Sequence, residues 1–218
     1  MNHTMKTFRT CVSAATLAAL SIPAVLAPLP AVAADGADAK QLAQAVEALR
    51  GIDTLKADFV QTDRSGATVR GVLTLKRPGR IRFQYEPSAK MLIVGDGKAL
   101  TLIDYEVRQV QRWPIGNSPL GALLDPRRDV AKFGRVVATG NPNVTSIEVR
   151  DRSHPEYGVI TLIFTRKASA PGGLELTYWV ALDSQNKRTT ISLSNLRYGV
   201  PVTDGDFRWN DPRPKERR

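Results

Sequence analysis

The chain predicts an α+β fold, one large antiparallel sheet with its helices gathered on one face. Three observations carry that prediction. Apolar and polar residues alternate in segment after segment from about residue 57 onward. Helical spacing is confined to a run near the start and a short stretch in the middle. Turn residues separate consecutive alternating segments, so strands adjacent in sequence pair as neighbours.

The first element reads as an export leader. Lys6 and Arg9 precede an apolar run from Val12 to about Leu29, and Ala31-Val32-Ala33-Ala34 closes it. This charged, apolar, small-residue order marks a cleavable signal peptide over residues 1–34, with cleavage after Ala33 or Ala34. Ser13, Ser21, Pro23, Pro28 and Pro30 interrupt the run and argue against a retained anchor, while Cys11 lies ahead of it, the wrong place for a lipidated terminus. A single domain over residues 35–218 remains. Those 184 residues (218 − 34) can bury a sizeable core. They contain no cysteine, so ordinary packing must hold the fold. Loss of Lys6 and Arg9 lowers the formal charge from +10 to +8. A basic surface suits acidic lipid headgroups, an acidic protein or nucleic acid, and equally serves as plain solvated surface; export argues against nucleic acid.

Leu42, Val46 and Leu49 recur at helical spacing over residues 38–50, and Gly51 stops that helix. Strand patterns follow at 57–63, 68–76, 80–85, 91–94, 99–104 and 108–113, with turns at Ser65-Gly66, Pro78-Gly79 and Asp96-Gly97. Alternation then stops. Leu120, Leu123 and Leu124 recur three to four apart until Asp125-Pro126 breaks the pattern, and residues 127–133 suit another helical turn or two. Strands resume at 134–138, 145–150, 159–165, 174–182 and 189–196, ahead of a basic, frayed tail from Pro212.

Candidate catalytic groups are scarce. His154 is the one histidine after residue 34, and it precedes a proline in the polar turn Arg152-Ser153-His154-Pro155. No cysteine or second histidine can join it in a nucleophilic triad or a zinc site, and no Gly-x-Ser-x-Gly elbow is present. Gly95-Asp96-Gly97-Lys98 lacks the spacing of a phosphate loop, Asp125 belongs to the helix break, and Asp204 and Asp206 flank Gly205 in a loop. The sequence therefore predicts no enzyme, no cofactor and no metal.

Apolar surface is what remains. Leu73, Leu75 and Arg77 share parity before the Pro78-Gly79 turn, and Ile81, Phe83 and Tyr85 share it afterwards. Leu174, Leu176, Tyr178, Val180 and Leu182 also share one face, with Trp179 on the other. These residues can form an ordinary core against the helices. One short helix and two shorter pieces are nevertheless little cover for about ten strands, and a partly covered apolar face suggests a lipid or lipoprotein cavity.

Four motifs in order, Phe59-x-Gln61, Gly71-x-Leu73-x-Leu75-x-Arg77-Pro78-Gly79-Arg80-x-Arg82-Phe83-x-Tyr85, Ile93-Val94-Gly95-Asp96-Gly97-Lys98 and Ser118-Pro119-Leu120 with Leu123-Leu124, resemble the LolA family of periplasmic outer-membrane lipoprotein carriers. The resemblance runs from the first helix to the region of Phe207 and Pro212. The chain departs from the family pattern at Ile103-Asp104-Tyr105-Glu106-Val107 and in having no obvious extra terminal strand.

The resemblance implies an incomplete β-barrel whose concave face is lidded by helices. It implies a monomeric periplasmic chaperone that takes acylated lipoproteins from an inner-membrane ABC-type releasing complex to an outer-membrane receptor. Relatives on the same half-barrel that carry other lipids or sense envelope stress are the alternative. At roughly 0.8 kcal/mol per methylene, a palmitoyl chain of about fifteen such groups represents about 12 kcal/mol, so the cavity should be loose and its lid weakly held. Arg77 matches the family's Arg-Pro arginine and is expected to latch the lid through backbone carbonyls, a task suited to a five-donor fork. Leu73, Leu75, Ile81, Phe83, Tyr85, Leu176, Tyr178 and Val180 are expected to line the cavity, and Leu120, Leu123 and Leu124 to form the lid.

Overall fold

In the computed structural model, residues 32–214 are described, apart from 117, 126 and 127. The predicted leader, except for its last three positions, lies outside the described residues, as does the end of the tail. Helix α1 (Val32–Arg50) starts earlier than the apolar spacing indicates. Its last turns bury Ala45, Val46, Ala48 and Leu49.

Eleven strands follow: β1 (Thr54–Thr62), β2 (Thr68–Lys76), β3 (Arg80–Tyr85), β4 (Met91–Asp96), β5 (Ala99–Asp104), β6 (Gln109–Pro114), β7 (Gly134–Val137), β8 (Val144–Arg150), β9 (Val159–Arg166), β10 (Leu174–Leu182) and β11 (Arg188–Tyr198). They form one antiparallel sheet in the order β6-β5-β4-β3-β2-β1-β11-β10-β9-β8-β7. Because β1 pairs with β11, the two meanders join in the middle, and β6 and β7 are left as unjoined edges. The sheet is thus not closed into a barrel. Helix α2 (Pro119–Leu124) and a 3-10 turn (Ala131–Phe133) connect the two meanders along the chain, between β6 and β7.

Alternation dictates which side chains enter the main core. Ile81, Phe83 and Tyr85 of β3 lie opposite Leu75, Leu73 and Gly71 of β2, and all five apolar side chains are buried. Gly71 is required by close approach: a Cβ there would stand 2.7 Å from the Phe59 ring and 2.2 Å from the Gln84 carbonyl oxygen. Phe59 therefore lies over the β2 backbone, with edge-on contacts to Phe83 (5.4 Å) and Tyr85 (5.2 Å). Such pairs add about 0.5–1.5 kcal/mol each beyond area burial.

A second, smaller core occupies the other face. Leu92, Val94 and Ile103 are covered by Val202 and Phe207, with Val200 and Trp209 beside them. The loop expected around Gly205 is a 3-10 turn (Asp204–Phe207), closed by a reciprocal Thr203–Asp206 capping box. Lys76 pairs with Asp204 at 2.8 Å, and Arg82 donates to the Arg208 carbonyl at 2.9 Å. The segment after β11 thus straps the outside of β3 to β5. No periodicity announces it, because its apolar residues lie on coil and one short 3-10 turn.

Candidate functional site

The concave face of β1, β2, β3, β9 and β10 meets α1 and α2 around a cavity of about 30 Å³. Leu55, Leu73, Leu75 and Ile81 line it from the first half of the sheet, Leu162, Leu176 and Trp179 from the second. Leu49 and Ile52 close it at the end of α1, Leu123 and Leu124 from α2. Arg77 is the one charged residue in this lining. The volume is about that of one water molecule, whereas pockets that hold small ligands run to roughly 300–1,000 Å³. This is a shut interior.

Short as it is, α2 is well specified. Ser118 Oγ accepts from the Gly121 N–H at 3.2 Å and donates to the Ile115 carbonyl at 2.8 Å, and Pro119 starts the helix. Leu123 and Leu124 are buried, while Leu120 is partly buried against the same core. The lid meets the β2–β3 turn through the backbone: the Gly79 N–H donates to the Leu124 carbonyl at 2.8 Å. Gly79 sits at φ +80°, and a Cβ there would stand 2.6 Å from the Gly97 Cα. Two turns thus touch where the lid ends.

Arg77 precedes this turn, joined to Pro78 by a cis peptide bond, and its N–H donates to the Asp53 carbonyl at 2.8 Å. Burial pushes the guanidinium down to about 10, against the opposing charges of Asp125 and Asp53. Its Nε is buried with no hydrogen-bond partner among the described residues. At the end of the lid, Asp125 faces the guanidinium as an opposing charge, and the Gly79 N–H, two residues beyond Arg77, supplies a backbone bond.

The other sequence-predicted residues divide. Leu73, Leu75, Ile81, Phe83, Tyr85 and Leu176 all belong to the buried concave core. Tyr85 donates to Gln61 Oε1 at 2.6 Å, and burial pushes its phenol up to about 12. Tyr178 is 45% exposed and Val180 lies outside the core. The pairing of β10 with β9 shifts between Leu176 and Tyr178, so one extra residue reverses the faces. Trp179 takes the inward place, with its ring 6.2 Å from Phe83. Simple alternation misses Trp179 for this reason; a lone tryptophan opposite an apolar strand is the available hint.

Tyr198 was also beyond reach of alternation. Asn195 adopts φ +52°, and the β1–β11 register slips between Lys56 and Asp58, which places Tyr198 opposite Leu55 on the concave face. Asparagine tolerates that conformation and was the signal available.

His154 lies in an exposed turn, with Nδ1 2.9 Å from Glu156 Oε1 and its ring stacked on Tyr157. No three metal-ligating side chains gather among the described residues. A larger depression, about 420 Å³, lies beside Arg135, Glu148, Arg150 and Arg152; its charged walls do not suit hydrocarbon.

Residues 50–210 match the family model described as outer membrane lipoprotein carrier protein LolA. An outer-membrane lipoprotein carrier protein of Neisseria meningitidis serogroup C is 27% identical over 188 residues, which covers 80% of this chain and 87% of that one. Another, from Chromobacterium violaceum, is 36% identical over 109 residues, 47% of this chain and 52% of that one. An uncharacterized Rickettsia prowazekii protein is 29% identical over 53% of this chain and 56% of its own. Among solved structures, a LolA superfamily protein from Nitrosomonas europaea aligns with TM-score 0.46 and 13% identity over 79% of this chain and 97% of that one. With the family match spanning most of its length, the chain belongs to the LolA family of outer membrane lipoprotein carrier proteins.

Proposed function

We propose that this protein is a periplasmic chaperone that shelters the acyl chains of lipoproteins between its concave sheet face and the α2 lid, and carries them from the inner to the outer membrane. The observation that carries this reading is an apolar interior closed by a six-residue helix, with one charged side chain in its lining. A palmitoyl chain cannot enter a cavity of about 30 Å³, so loading must displace α2. Leu123 and Leu124 then exchange one apolar partner for another, and the net cost of opening stays small against about 12 kcal/mol of hydrocarbon transfer. Arg77 acts as a desolvated charge at the cavity wall that opposes very tight retention of hydrocarbon. Leu73, Leu75, Ile81, Phe83 and Leu176 supply the acyl-contacting surface. An inner-membrane releasing complex of the ABC type and an outer-membrane receptor are the partners this role requires.

Mass spectrometry of the protein purified from the periplasm tests the proposal. Co-purified polypeptide bearing covalent acyl chains supports it. Free lipid alone, or an empty protein that cannot keep an acylated lipoprotein soluble, overturns it.

A further inference from the structure

Among the described residues, two buried side-chain polar atoms have no hydrogen-bond partner: Arg77 Nε and Tyr198 Oη. Native proteins leave few such atoms unpaired, because each forfeits its hydration without replacement. Both belong to the concave side of the sheet, Arg77 in the cavity lining and Tyr198 against the core. Leu75 pairs with Leu55 on β1, and Leu55 pairs with Tyr198 on β11. Leu55 and Leu75 both line the cavity, and Tyr198 packs against the same core. Arg77 follows two residues after Leu75. Two strand spacings, roughly 10 Å, separate the backbones of Leu75 and Tyr198, and Arg77 lies farther along the chain, so Tyr198 Oη is a separate donor.

The contrast with Tyr85 is informative. Both phenols are pushed up to about 12 by burial, so both stay protonated and able to donate. Tyr85 spends its proton on Gln61. Tyr198 spends its proton on nothing in the protein.

We infer that Tyr198 forms a polar rim that binds the carbonyl oxygen at the head of an acyl chain, the ester or amide group linking hydrocarbon to its carrier molecule. The inference rests on the acyl-carrier reading above and adds a head-group contact to it. The chain enters methyl end first into the leucine-lined interior, and the carbonyl stops at the rim, where the phenol O–H meets its lone pair. Hydrocarbon without a carbonyl leaves that donor unsatisfied. The rim therefore sets how deep the chain sits and selects acyl groups over plain alkyl ones.

The test uses the mature protein, a fluorescent naphthyl reporter in the cavity, and three competitors: dodecane, methyl laurate and laurate. The wild type should bind methyl laurate and laurate more tightly than dodecane. Tyr198→Phe should weaken methyl laurate about three- to tenfold, the worth of one hydrogen bond, and leave dodecane unchanged. As a second measurement, the infrared carbonyl stretch of 1-13C methyl laurate should lie lower in the wild-type complex than in the Tyr198→Phe complex. Equal effects of Tyr198→Phe on dodecane and methyl laurate, or an unshifted carbonyl band, would overturn the rim while the carrier reading stands. Failure of all three competitors to displace the reporter would overturn both.

Discussion

The Gly79 N–H donates to the Leu124 carbonyl at 2.8 Å, so a backbone hydrogen bond joins the β2–β3 turn to the end of the lid. Neither partner is a side chain that mutation can simply delete. What can be changed is the geometry that presents them. Gly79→Ala places a methyl group at φ +80° against the Gly97 backbone. Loss of at least about 2 kcal/mol is expected from strain and displacement, and urea denaturation should show a lower midpoint.

Ser118→Ala removes the cap of α2 and costs about 1 kcal/mol, confined to the lid. Amides of residues 121–125 should exchange with deuterium roughly fivefold faster, with little change in β1 or β11. Uniform acceleration throughout the sheet would instead mean that the lid and the sheet open as one unit.

Arg77→Leu replaces a desolvated guanidinium with hydrocarbon in an apolar lining. A gain of about 1 kcal/mol is expected, seen as a melting temperature raised by roughly 2–4 °C. The same change should hold acyl cargo more tightly and slow its transfer to acceptor membranes. A variant that melts lower and binds cargo less would assign Arg77 an essential structural bond.

The reversed faces of β10 give a paired test. Trp179→Lys puts an ammonium beside Leu162 and Leu176 and should abolish acyl-probe binding, whereas Tyr178→Lys, on the exposed side, should bind like the wild type. Equal damage from both would contradict the bulge.

Alkaline pH discriminates the buried ionisable groups. Tyr85 and Tyr198 titrate near 12 in the fold and near 10 when unfolded, so the stability they contribute is whole below pH 10 and is lost as pH rises toward 12. Arg77, lowered to about 10, has the opposite slope over the same range, because there the unfolded chain holds the extra proton. Two groups outweigh one, so stability should fall from pH 10 to 12. Urea titrations across that range should show a shallower fall for Tyr85→Phe and a steeper one for Arg77→Leu.

Much of this architecture was legible in the residues because period-two alternation survives wherever pairing is regular. The predicted limits of β2, β3, β5 and β10 coincide with the observed ones. Alternation failed at Tyr178 and Tyr198, where one additional residue on a strand reverses every side chain beyond it. The strap over Leu92 and Ile103 was invisible for another reason: Val202 and Phe207 bury themselves from coil and a single 3-10 turn, too short to show a period. Charge balance at Arg77 was equally hidden, since Asp53 and Asp125 meet it only in the folded chain.

Strands β6 and β7 never meet, and that gap governs how the interior can grow. In a sheet sewn into a ring, the circumference is fixed by its ladder of hydrogen bonds, and any increase in girth breaks some of them. Here the two margins can splay apart with every strand pairing intact, so the sheet's own ladder sets no limit on swelling to accept a guest.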